Sequence, residues 1–128
     1  MDPLQRIQAK IADFPGYSND LDRRRSDEFV RSYLGEALAE LEPRLGTLAP
    51  AVQQQIDALL LRVGFADQRA FSAHGDGADV SDEDDGIVGL ADRARSLDAG
   101  SLPSYLDEVS AALDRRDAVL RAAVAPSP

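Results

Sequence analysis

Apolar residues recur every three or four positions through most of this chain, and that period constrains its fold more than any other feature. Val30, Tyr33, Leu34, Ala37, Leu38 and Leu41 fall on one stripe of a helix. Val52, Ile56, Leu59, Leu60 and Val63 make a second, and Ile87, Leu90, Ala91, Ala94 and Leu97 a third. A fourth runs Leu102, Leu106, Val109, Leu113, Leu120, and Arg116 interrupts its seam. Strands would need alternation and more β-branched and aromatic residues, but aromatics are only 5% of the chain and tryptophan is absent.

Punctuation bounds the helices. Asp2-Pro3 reads as an N-cap followed by proline at the first helical position, opening a short helix over 2–13 that the FPGY turn (14–17) stops. The principal helices are predicted over 20–42, 49–64, 82–98 and 103–122, with 123–128 as a tail. Pro43 is read as the end of the first, Gly64 as the end of the second, and Ser81 with Asp84 as a capping arrangement before the third. The 128 residues suit one helical domain. The expected fold is all-α: an antiparallel bundle of about four principal helices plus a short N-terminal helix.

Charge and composition remove whole classes of function. A net charge of −9 repels nucleic acid and anionic membrane surfaces. No cysteine means no disulfide, thiol nucleophile or thiolate metal site. The start lacks a signal-peptide pattern and no apolar run could span a bilayer, so a cytoplasmic address is expected. His74 is the single histidine, set in a Gly-rich turn with no second ligand or catalytic partner at a meaningful spacing. The acidic stretch 76–86 resembles a calcium loop only loosely. With Gly86 as the required glycine, Ser81 stands where the first Asp belongs and Asp92 where a bidentate Glu belongs. An acidic helix N-terminus is the simpler reading. Neither a catalytic constellation nor a cofactor-binding motif emerges.

One charged constellation does. Arg23, Asp27 and Arg31 lie in a row at i, i+4 and i+8 along the border of the first stripe, with Tyr17 just upstream, while Arg24 and Arg25 point to the polar side. A carboxylate between two guanidiniums can accept planar, charge-assisted hydrogen bonds from both. Such a row would fasten the FPGY loop to the helix. Alternatively, Arg23, Arg24 and Arg31 would form a pocket for a small anion or a partner's carboxylate.

The spacing Gly16-Tyr17, Arg23-Arg24, Asp27, Arg31 resembles the signature of a family of short, functionally uncharacterised bacterial all-helical proteins. Phe71, the VSDED stretch at 80–84 and Asp98 extend that resemblance across most of residues 14–99. This chain departs at GFADQRAF (64–71), where such proteins carry a Gly-Tyr-rich segment. The resemblance implies the helical fold and no particular activity. The leading functional expectation is a non-enzymatic module that binds a protein partner or self-associates, using apolar positions left outside the core such as Val30, Tyr105 and Val119. The anion-binding cluster is the alternative.

Overall fold

The computed structural model describes residues 1–64 and 79–124, with the side chains of 123 and 124 excepted. Phe71, His74 and the first part of the acidic stretch, 76–78, lie outside the described residues. The chain is all-α, and no strand occurs among the described residues. The helices among the described residues are α1 (Pro3–Lys10), α2 (Asp20–Ala39), α3 (Leu41–Leu45), α4 (Pro50–Gly64), α5 (Ser81–Ala94) and α6 (Leu102–Val124), with a 3-10 turn at Ala99–Ser101 before α6. Four of them, α2, α4, α5 and α6, form the bundle, and α1 packs on α5.

The helix ends follow from local chemistry. Asp2 caps α1 in a reciprocal capping box with Gln5: its carboxylate accepts from the Gln5 amide at 2.8 Å, and Gln5 Oε1 accepts from the Asp2 amide at 3.0 Å. Asn19 caps α2 through the Asp22 amide at 2.8 Å. Pro43 does not mark the end of α2 as expected. Its missing N–H leaves the Ala39 carbonyl without a helical donor, so the helix breaks one turn upstream at Glu40 and Pro43 sits in the first turn of α3, where proline is tolerated. The third principal helix stops at Ala94 rather than near 98, and Arg44 from α3 donates to the carbonyls of Ala94 and Leu97 at and beyond that end. Asp98 instead caps the 3-10 turn, accepting from the Ser101 amide at 2.8 Å.

Cross-helix contacts set the directions. Asp84 pairs with Arg116, and the Tyr105 hydroxyl donates to the Leu90 carbonyl at 2.5 Å, so α5 and α6 run antiparallel. The chain reverses between α2 and α4 as well, bringing Arg31 to Val63 near the end of α4. The pairs α2/α5 and α4/α6, not consecutive in sequence, run in the same direction: Tyr33 meets Asp92, while Gln55 and Arg62 meet Asp107 and Asp114. The core between the helices is built from the predicted stripes, including Leu34, Leu38, Ile56, Ile87, Leu106 and Val109. Val30 and Tyr105 belong to it too, at 2% and 1% exposure, and are not spare surface positions. The reason is stripe width: α2 and α6 each pack on two neighbours, which buries a broader arc than one seam.

Gly89, inside α5, faces open space: a Cβ at this position would meet nothing within 4 Å, and its φ is not positive. Gly89→Ala is therefore expected to raise stability by about 0.5–1 kcal/mol through lower backbone entropy in the unfolded chain. Denaturant unfolding midpoints will check this; a loss of stability would mean that a methyl group does not fit there.

Candidate functional site

The turn before α2 is held by that helix's own first residues. Gly16 has a φ of +86°, which favours glycine, and it lets the chain fold back so that its carbonyl accepts from Ser26 Oγ at 2.6 Å. Arg23 Nη1 donates to the Tyr17 carbonyl at 3.0 Å and Arg23 Nη2 to Asp20 at 2.6 Å. The FPGY loop is thus fastened to α2, as the arginine row predicts, although by Arg23 and Ser26 rather than through Asp27.

Asp27 does lie between two guanidiniums, but the second is not Arg23. Arg31 Nε donates to Asp27 Oδ2 at 2.8 Å, and Arg116 of α6 approaches Asp27 Oδ1 at 2.9 Å. Helical side chains lean toward the N-terminus, so Arg31 reaches back onto Asp27 while Arg23 reaches back onto Asp20 and the loop. An acid followed four residues later by a base is also the favoured orientation. Arg24 and Arg25 are exposed and take no part.

Arg116 continues the network. Its Nε donates to Asp84 Oδ1 at 2.6 Å, and the Tyr17 hydroxyl donates to Asp84 Oδ2, also at 2.6 Å. Asp84 does not cap its helix: it is fully buried, and Ser81 N–H is satisfied by Asp79 instead. At the other end Arg31 Nη1 donates to the Val63 carbonyl of α4 at 3.2 Å. A continuous path therefore runs Tyr17, Asp84, Arg116, Asp27, Arg31, Val63. It touches the loop and all four principal helices.

Electrostatics within this path are balanced, with two carboxylates facing two guanidiniums. Burial pushes the Asp84 carboxyl above its ordinary range, and Arg116 and the Tyr17 hydroxyl pull it partway back. Burial opposes the charge on Arg116, but Asp84 and Asp27 together hold that guanidinium more firmly protonated than usual. The Tyr17 hydroxyl is pushed up by burial and by the Asp84 charge beside it.

Sequence reasoning brings together Tyr17, Asp27 and Arg31 and misses Asp84 and Arg116. Both carry a signal. Arg116 breaks an apolar seam, and Asp84 occupies the stripe position shared with Ile87, Val88 and Ala91; an ionic group on a core face calls for an opposite charge on a neighbouring one.

Depressions among the described residues lie near this network. A cleft of about 380 Å³ between α2 and α4 has Arg31 in its lining with Leu60 and Val63, but Glu28 and Glu36 flank it and oppose an anion. A larger groove of about 670 Å³ runs between α5 and α6. Gly86, Leu90, Ala111, Ala118 and Val119 give it an apolar lining, and Asp82, Glu83, Glu108 and Arg115 stand around it. Asp84 and Arg116 belong to the same two helices, so their buried ion pair fixes the spacing of the groove walls. Among the described residues no group of acids or histidine is arranged to hold a metal ion, and no helix is long and apolar enough to cross a membrane. Comparison with protein-family models, with curated proteins and with solved structures returned no match.

Replacing Arg116 with methionine keeps most of the volume and leaves Asp27 and Asp84 buried without their shared cation. Arg116→Met is expected to cost about 3–5 kcal/mol, against less than about 0.5 kcal/mol for Arg24→Met on the exposed side. Equal denaturation midpoints for the two variants would contradict the burial of the network.

All three tyrosines are held in the protonated state: Tyr17 and Tyr33 are raised by burial and by the carboxylates that accept from them, and burial pushes Tyr105 up to about 12. A folded pKa above the unfolded one gives stability that is complete below pH 10 and is lost as pH rises beyond it. Ultraviolet titration should therefore show little tyrosinate near pH 10 in the folded protein, followed by ionisation together with unfolding at higher pH. A normal tyrosinate transition with the far-ultraviolet dichroism intact would contradict this.

Proposed function

We propose that the chain is a non-enzymatic protein-interaction module that docks another protein along the groove between α5 and α6. One observation carries this reading: among the described residues the apolar lining of that groove stays open while the charged groups of the interior face opposite charges. Arg23 and Arg31 are engaged with Asp20 and Asp27, which weighs against the alternative of an anion pocket in the arginine cluster. Val119, expected as a spare apolar position, lies in the groove. A net charge of −9 opposes close approach of a second copy, so another protein is favoured over self-association. The resemblance to short bacterial helical proteins and a cytoplasmic address belong to the same reading.

Photo-crosslinking residues placed at Ala111 or Ala118, expressed in the native host, test it. A discrete adduct with another protein is expected from both positions and not from Ala58, an exposed residue on α4. No adduct from the groove, or only an adduct of twice the chain's own mass, would sink the proposal.

A further inference from the structure

We infer that the occupant of the α5/α6 groove is a cationic amphipathic helix of the partner protein, which rests on the reading of that groove as a docking surface. Shape is the first argument. The depression lies between two antiparallel helices, and Gly86, Ala111 and Ala118 present little side chain, so a third helix can settle with its backbone close to the lining. A Cβ built on Gly86 meets nothing within 4 Å, so no packing among the described residues requires glycine there. Its place in the interior of α5 weakens that helix and keeps the groove clear.

Charge is the second argument. Asp82 and Glu83 stand at one end of the groove and Glu108 toward the other. Among the described residues no ion pair engages Asp82 or Glu83, and Glu108 meets only Arg93 in an exposed contact at 2.9 Å, weak enough to be exchanged for a partner's cation. Arg115 is the single opposing charge in the lining. The field of a chain carrying −9 draws a basic segment toward this edge and repels an acidic one or a second copy. An apolar face for the lining, with lysines or arginines placed to reach both ends, is the complement.

Two synthetic helical peptides separate the possibilities. One carries Ala and Leu on one face and Lys on the other; its twin replaces every Lys by Glu. Titrated into the isotope-labelled full chain, the Lys peptide is expected to shift amides around Gly86, Ala111 and Ala118, and the Glu twin is not. Its affinity should fall at least about tenfold in D82N/E83Q and decline with added salt. Glu108→Gln, far from the start of α5, supplies an independent variant with the same expected direction. Equal binding of the two peptides, unchanged affinity in both variants, or shifts scattered over the surface would overturn the inference. Refusal of the Lys peptide while crosslinks from Ala111 and Ala118 persist would refute the cationic occupant and leave the docking surface standing. Loss of both would remove the docking surface itself.

Discussion

Arg116 lies at a position of α6 that an apolar residue would ordinarily occupy, and there it meets carboxylates from two other helices at 2.6 and 2.9 Å. A guanidinium taken out of water is costly unless opposite charge meets it, and here Asp27 and Asp84 both do. Those acids in turn accept from Arg31 and Tyr17, so among the described residues acids and bases alternate along a path that crosses the whole bundle. Hydrophobic burial supplies the drive to collapse, but a collection of leucine and alanine stripes admits several ways of stacking four helices. The charged path selects one, because any slip or rotation of a helix would strand an ion in the core.

Rigidity at the centre has a counterpart at the surface. Pairs such as Arg6–Asp85, Arg62–Asp114 and Arg93–Glu108 stitch neighbouring helices together from outside, where solvent screens them. They fix orientation only weakly. The groove between α5 and α6 is bounded by both kinds of interaction: a buried, interlocked pair beneath and exchangeable charges along the rim.

Much of this architecture is legible in the residues. The helical period predicts the stripes, Asp2-Pro3 marks a start, and Arg23, Asp27 and Arg31 stand out as an ordered group. What local reasoning does not supply is partnership across the chain. Asp84 and Arg116 are thirty-two residues apart and meet only after the helices pack. Arg23 beside Asp27 is a different miss: the N-terminal lean of helical side chains carries it back to Asp20 and to a loop carbonyl that spacing along one helix does not place. The break at Glu40 escapes for a different reason: a proline disrupts the turn before it, not the residue at which it stands.

The interlocked path also bears on how such a chain can drift over time. Exposed pairs can be traded one residue at a time, each step nearly neutral. Asp27, Asp84 and Arg116 offer no such gradual route, because altering any one of them takes a charged partner from its neighbours in a dry interior. A lineage could shed the ionic knot only by exchanging several members together for apolar residues of like volume; until then, history holds the centre of this molecule still while its rim is free to follow whatever it binds.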